Sequence, residues 1–240
     1  QIVLDSKGNH GDELNSFDGR SYALAASSVR LLKNLDIFED IRDYSQPILD
    51  IEILDGKLVQ GPSQFSLHFD NNEIHNGPMG YMVEDRFIQK TLFAQILATN
   101  QIDYKFDSKV TEHYQQGSYI SVQLDDGQKL RTRLVVGADG RNSNIAKRAK
   151  IKKSGWRYKQ NALVCAIEHE IDHKGLAWQY FLPNGPLAIL PMTGNRSSIV
   201  WTEQTKNADA INALDDNQYM EILNSRLGSF LGKSKLIGSR

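Results

Sequence analysis

The sequence predicts a mixed α/β (α+β) fold, an α/β part interrupted by antiparallel β-sheet. Three observations carry that reading. Apolar residues at three- and four-residue spacing mark helices at 25–37, 84–99 and 207–228. Alternating apolar and polar runs mark strands at 49–53, 65–69, 162–168, 176–182, 187–190 and 198–202. The order of elements switches twice from α/β to antiparallel, which a discontinuous β-rich domain inserted into an α/β domain would produce. The expected domains are 1–45 with 84–153, and 46–83 with 154–240.

Element by element, Gln1 to Asp5 reads as a short buried strand ending in an acid, and the polar, glycine-bearing residues 6–16 as a loop. Ala25, Val29, Leu32 and Leu35 form a helical stripe, with Ser27 and Ser28 near its start. Leu49, Ile51 and Ile53 alternate with Asp50 and Glu52, and Asp55-Gly56 is hairpin punctuation before Phe65, Leu67 and Phe69. That pair reads as a small antiparallel unit with one wet face. Ile88, Leu92, Phe93 and Ile96 face one side of the next helix, with Glu84 and Asp85 where carboxylates favour a helix N-terminus. Strands are expected at 103–106, 109–115 and 119–124, then an Asp126-Gly127 turn, a buried strand over Leu130 to Gly137 and a short helix over 143–149. In the last helical region Met220, Leu223 and Leu227 share a face.

Composition narrows the function classes. Among 240 residues, 28 Lys and Arg face 29 Asp and Glu, a net charge of −1 that gives no electrostatic reason to expect nucleic acid. Hydrophobic residues at 40% and charged ones at 24% fit a globular protein. Cys165 is the single cysteine, so no intrachain disulfide forms and a reducing compartment is expected. No apolar run approaches the ~18 residues of a membrane span. The opening Gln1-Ile2-Val3-Leu4-Asp5 lacks the basic leader of a signal peptide and starts within a strand, so a processed protein or a fragment is expected.

The strongest chemical signal is Leu134-Val135-Val136-Gly137-Ala138-Asp139-Gly140-Arg141-Asn142-Ser143. An apolar strand, two glycines, an acid and a helix start meet there, a place suited to ribose hydroxyls and pyrophosphate. The same residues equally suit an ordinary strand–turn–helix with an Asx turn. Asp5, at a strand end, suits a ribose hydroxyl as well as simple strand termination. Arg20, in Phe17-Asp18-Gly19-Arg20-Ser21-Tyr22-Ala23-Leu24, suits a phosphate or a solvated loop.

In series with Gly80-Tyr81-Met82-Val83-Glu84-Asp85-Arg86, Gly185-Pro186-Leu187-Ala188-Ile189-Leu190-Pro191 and Val200-Trp201, these segments resemble the FAD-dependent aromatic hydroxylases. These are flavoprotein monooxygenases, and the similarity is to their ubiquinone-biosynthesis branch. It runs over nearly the whole chain. It implies a partial Rossmann-like FAD-binding domain with an inserted antiparallel substrate domain. Asp5 would bind the adenosine ribose, and Arg20 with the Ala25 backbone the diphosphate–ribityl side. Asp85 would touch FAD from a helix head, where the family often has Asn, Gln or Arg; Val110 would meet adenine through its backbone. Asp139 would bind ribityl or pyrophosphate and help admit NAD(P)H, and the strand at 187–191 would face flavin and substrate.

The activity implied is hydroxylation of an aromatic ring, a polyprenylphenol precursor of ubiquinone, by O₂ through an NAD(P)H-reduced flavin and its C4a-hydroperoxide. No residue stands out as an acid or base catalyst. The resemblance also implies a cytoplasmic place, with a peripheral site on the inner membrane or in a biosynthetic complex. The family's Gly-x-Gly-x-x-Gly opening and later Gly-Asp segment are not matched here. The chain is therefore expected to be the middle of a longer enzyme, inactive alone and a poor binder of FAD.

Two other classes compete. His169-Glu170-Ile171-Asp172-His173 spells His-Glu-x-x-His, which on a helix holds zinc for hydrolysis. Here the flanking residues alternate as a strand, and positions four apart in a strand lie ~13 Å apart; no metal site is therefore expected. A non-catalytic binding module would use the Gly77-Pro78-Met79-Gly80 loop with Trp156, Trp178 and Trp201, residues equally suited to packing. Cys165 reads as a core thiol, and the basic run Lys147 to Lys153 as a solvated face, a phosphate site or an anionic-lipid contact.

Overall fold

A computed structural model describes residues 1–7, 15–57, 61–73 and 77–240. The chain forms two compact units, 1–13 with 93–156 and 14–92 with 157–240.

In the first unit β1 (Ile2–Leu4) pairs in parallel with β7 (Asp103–Lys105), and Asp5 N–H extends the ladder to the Lys105 carbonyl at 2.9 Å. Phe93, Tyr104 and Phe106 pack edge-on and tilted, with centroids 4.8 to 5.5 Å apart. A meander follows from β8 (Val110–Gln116) through β9 (Tyr119–Leu124) to β10 (Lys129–Thr132), its core provided by Val122 and Leu124. Gly127, at φ 85°, makes the predicted turn. The strand expected over Leu130 to Gly137 ends at Thr132, and Leu134 and Val136 are 71% and 76% exposed. An apolar strand is buried only between partner strands, and among the described residues none pairs with 134–136. Helix α4 covers Asn144–Arg148.

The second unit is built on a seven-stranded sheet. In chain order its strands are β4 (Asp50–Lys57), β5 (Gly61–Asp70), β11 (Gln160–His169), β12 (Leu176–Leu182), β13 (Gly185–Met192), β14 (Arg196–Gln204) and β15 (Ser234–Ile237). In space they run β15-β11-β14-β13-β12-β4-β5, antiparallel except for the parallel β12–β4 pair. Directly opposed residues share a face. Leu163, Trp201, Leu187, Tyr180 and Leu54 therefore make one continuous row, buried under the helices α5 (Thr205–Asn212) and α6 (Asp216–Leu227). Tyr219, Leu223 and Leu227 from α6 close that core. A smaller sheet, β2 (Ser21–Ala25), β6 (Gly80–Glu84) and β3 (Ser45–Ile48), carries α1 (Ala26–Asn34) and α2 (Phe38–Ile41) on a core of Val29, Phe38, Ile41 and Val83. Met82 and Ile48 join it to Ala177 of the large sheet. Helix α3 (Asp85–Ala98) begins in this unit.

Several expectations need correction. The β4–β5 hairpin is the end of the large sheet rather than a separate unit, because β12 pairs with β4. Asp55-Gly56 lies inside β4, where the register shifts between Leu54 and Gly56; residues 58–60 and 8–14, with the expected turn and most of the loop, lie outside the described residues, as does the side chain of Phe65. The helical region at 207–228 is two helices, the second capped by Asp215, whose carboxylate accepts from Gln218 N–H at 2.9 Å. The expected domain division does not coincide with the compact units. Residues 15–45 and 84–92 fall in the unit of the large sheet, since β2, β3 and β6 share hydrogen bonds.

Candidate functional site

Of the six residues assigned to the cofactor by resemblance, Asp5, Val110 and Asp139 lie in the first unit and Arg20, Ala25 and Asp85 in the second. Asp5 stands directly after β1. Its two carboxylate oxygens accept from Lys7 N–H at 2.9 Å and from the Tyr104 hydroxyl, on the neighbouring strand, at 2.7 Å. Burial, reinforced by the Asp5 carboxylate, pushes the Tyr104 phenol up to about 12, so it remains a proton donor to Asp5. Val110 opens β8 opposite Leu124, immediately before a bulge in the β8–β9 ladder.

Asp139 turns back onto its own chain. One oxygen accepts from the Ser143 hydroxyl, and the other from the N–H groups of Asn144 and Ile145 at 2.7 and 3.2 Å. Ser143 Oγ accepts from Ala146 N–H at 3.0 Å, and Ser143 N–H donates to the Gly140 carbonyl. The four N–H groups at the start of α4 are thereby satisfied by the protein, which leaves none for the pyrophosphate expected there. The Ser143 hydroxyl and these N–H groups hold the Asp139 carboxyl below the usual carboxylate range. The geometry is the Asx-type cap; it fixes the Gly137–Gly140 loop, where a side chain on Gly137 would press within 3.0 Å of Ile145.

In the second unit the structure brings Arg20 and Asp85 together. Arg20 Nη2 lies 3.0 Å from Asp85 Oδ2 and 2.6 Å from Asp18 Oδ2, and Asp85 N–H donates to the Arg20 carbonyl. Asp85 is 4% exposed and also accepts from Gln89 Nε2 at 2.6 Å, whereas the Arg20 side chain is 60% exposed. The acid that departs from the family pattern thus anchors the arginine. Ala25 ends β2 and precedes α1, with no side-chain hydrogen bond capping that nine-residue helix. An exposed, doubly anchored guanidinium and an exposed helix start without a side-chain cap fit the diphosphate side of FAD.

Sequence reasoning missed the group beside it. Glu84, 2% exposed, is held between Arg86 Nε at 2.7 Å and Arg196 Nη1 at 2.8 Å. Arg196 also donates to the Thr193 carbonyl and hydroxyl, and Arg86 to the Asn15 carbonyl. This clamp ties the end of β6 to β14. No local pattern pairs Glu84 with an arginine so distant in sequence.

The helix-free face of the large sheet carries a second row: Val164, Val200, Ala188, Gln179, Ile53 and Leu67, directly opposed across six strands. Val164 and Leu67 at its ends are 43% and 62% exposed, and Phe181 nearby is 52% exposed. Gln179 is the one polar side chain in the row, beside the small Ala188. β13, expected to face flavin and substrate, sends Leu187 and Ile189 into the helix-covered core and Ala188 into this row.

The zinc reading fails for a reason other than the expected one. His169 ends β11 and the chain turns, so the His169 and His173 rings come within 5.8 Å rather than lying far apart. Every ring nitrogen is already used, however. His169 meets the Ile171 carbonyl and Ser197 Oγ; His173 meets the Met192 and Gly194 carbonyls and Gly175 N–H. Glu170 accepts from Lys233 N–H. Among the described residues no cluster suits a metal. Burial, foremost, pulls the His169 pKa below its ordinary 6.5. The unfolded chain therefore binds the extra proton first as pH falls, and the contribution of neutral His169 is present above pH 6.5 and lost below it. We expect the unfolding temperature to fall between pH 7 and pH 5.5, and to fall less steeply in His169→Gln; equal slopes would contradict this assignment.

Trp201 is fully buried under Arg226, and Trp178 packs on Phe230, whereas Trp156 is 78% exposed. The tryptophans do not combine into a pocket within either unit. Burial pushes the Cys165 thiol up to about 11, consistent with a core thiol.

Residues 10–238 match the model of the FAD binding domain family. The ubiquinone hydroxylase UbiL of Rhodospirillum rubrum is 37% identical over all of this chain and 54% of that protein. The 3-demethoxyubiquinol 3-hydroxylase of Escherichia coli is 29% identical over 77% of this chain and 46% of that protein. The chain thus spans about half the length of the curated relatives it matches. In fold it is similar to the flavin-dependent monooxygenase PieE, crystallised with FAD and substrate, at TM-score 0.74 and 11% identity over 99% of this chain and 44% of that one. p-Nitrophenol 4-monooxygenase PnpA of Pseudomonas putida gives TM-score 0.72 at 14% identity, over 98% and 59%. The exposed Arg20 anchored by Asp85 thus stands in a chain that belongs to the FAD binding domain family.

Proposed function

We propose that this chain serves FAD-dependent hydroxylation of an aromatic ring, with a polyprenylphenol intermediate of ubiquinone biosynthesis as substrate, O₂ as oxidant and NAD(P)H as electron donor. The observation that supports it best is the apolar row on the sheet face away from α5 and α6, in a chain 37% identical over its whole length to about half of a ubiquinone hydroxylase. Bound FAD supplies two-electron chemistry, so that one oxygen atom of O₂ enters the ring and the other leaves as water.

The chain's own residues bind and orient. Asp5, presented by Tyr104, accepts a ribose hydroxyl. Arg20 and the start of α1 at Ala25 meet the diphosphate, and Asp85 fixes the arginine. Val164, Ala188 and Val200 offer an apolar wall from which water is excluded once a ring lies on it, and Gln179 offers one hydrogen-bonding group to orient it. The test is the complete natural chain with NAD(P)H, ¹⁸O₂ and a prenylphenol. One ¹⁸O per product, and FAD affinity about tenfold weaker in Arg20→Ala, are expected. A complete chain without affinity for FAD would overturn the proposal.

A further inference from the structure

Charge along this chain is unevenly placed. Between Asp139 and Glu168 there is no acid, yet eight of the 28 cationic residues fall there; the remainder carries 20 cations against 29 carboxylates. Five of the eight, Lys147, Arg148, Lys150, Lys152 and Lys153, lie within seven residues of the first unit. Lys147, Lys150, Lys152 and Lys153 are exposed, and among the described residues no carboxylate pairs with any of the five.

The same segment holds apolar groups in water. Helix α4 ends in a Schellman motif. Lys150 takes the left-handed conformation at φ 56°, its N–H donating to the Lys147 carbonyl, and Ile151 N–H donates to the Ala146 carbonyl at 3.0 Å. In that motif an apolar residue at the position of Ile151 usually folds back on the helix. Here Ile151 is 63% exposed, flanked by lysines on both sides, and Trp156 is 78% exposed.

We infer that residues 147–156 form a docking surface for an anionic lipid membrane. Lysines attract the headgroups, while Ile151 and Trp156 enter the interface. Lysine stems let the apolar groups approach while the ammonium groups stay at phosphate level. A nucleic acid would use the cations but gives an exposed aliphatic isoleucine no partner, so lipid fits the whole segment better. The inference rests on this segment alone and holds whether or not the flavin reading does.

Flotation of the complete chain, with and without FAD, on phosphatidylcholine vesicles containing or lacking phosphatidylglycerol tests it. Binding is expected on the anionic vesicles, weakened by salt and independent of FAD. Lys150→Glu with Lys152→Glu should weaken it at least about tenfold. Trp156→Ala should weaken it several-fold without changing the salt dependence. Circular dichroism of both variants should match the parent, since the altered side chains are exposed. No anionic-vesicle binding, binding unchanged in the charge variant, or salt-sensitive capture of an oligonucleotide in place of vesicles would each overturn the inference. So would Trp156 fluorescence shielded from acrylamide in the lipid-free complete chain, because another part of the protein would then cover the surface.

Discussion

Glu84→Ala should destabilise the second unit by about 3 kcal/mol, because it leaves two arginines around a buried site without their anion. Breaking a buried pair typically costs 3–5 kcal/mol, and the lower end applies because Arg86 and Arg196 each keep 25% of their side-chain surface in water. The clamp also sits one residue before Asp85, so the loss should reach Arg20 and weaken FAD binding in the complete chain. A double-mutant cycle separates the pair from mere packing. Arg196→Met added to Glu84→Ala should cost clearly less than the sum of the single changes, as residues of one network couple. Urea unfolding of the four proteins checks this, and strict additivity would show that the ion pair contributes nothing.

How far the sequence foretold this site follows from what periodicity can register. The strands β11 to β14 are legible because short apolar runs bounded by turn residues mark them, and α3 because its apolar residues recur at helical spacing. β2 is not: Ser21, Ala23 and Ala25 share one face and Tyr22 and Leu24 the other, so size alternates but polarity does not, and no apolar–polar period marks the strand. Leu134-Val135-Val136 carried the composition of a buried strand, but composition does not report whether a partner strand stands beside it. The same blindness to partners hid the β4–β12 pairing and the Arg196 end of the clamp. For His169 and His173, spacing implied separation, whereas one turn at the strand end reversed the geometry. Arg20 reads singly as a phosphate contact and Asp85 as a helix-start carboxylate; that they form one unit is a tertiary fact. For Asp139 the Asx-turn alternative is the legible part: its carboxylate caps the helix start through Ser143, Asn144 and Ile145.

Gly19→Ala should have the next largest effect, about 2–3 kcal/mol, from two causes that can be separated. Gly19 has φ 94°, where an L side chain is strained, and a Cβ would stand 2.6 Å from the Ser239 carbonyl oxygen. That oxygen belongs to backbone and has little room to yield, since Ser239 Oγ donates to the Asp18 carbonyl and Gly238 packs against Gly19. Gly117 is the control: its φ is 63° and nothing lies within 4 Å, so Gly117→Ala should show the conformational strain alone, about 1 kcal/mol. At about 2–4 °C per kcal/mol, the two variants should differ in melting temperature by several degrees. The contact matters for function because Gly19 lies between Asp18, which holds Arg20 through two side-chain contacts, and Arg20 itself. Displacing the turn should therefore weaken FAD binding in Gly19→Ala and leave it unchanged in Gly117→Ala. Equal melting temperatures for the two variants would mean that the 238–239 segment yields to the methyl group and does not fix the arginine.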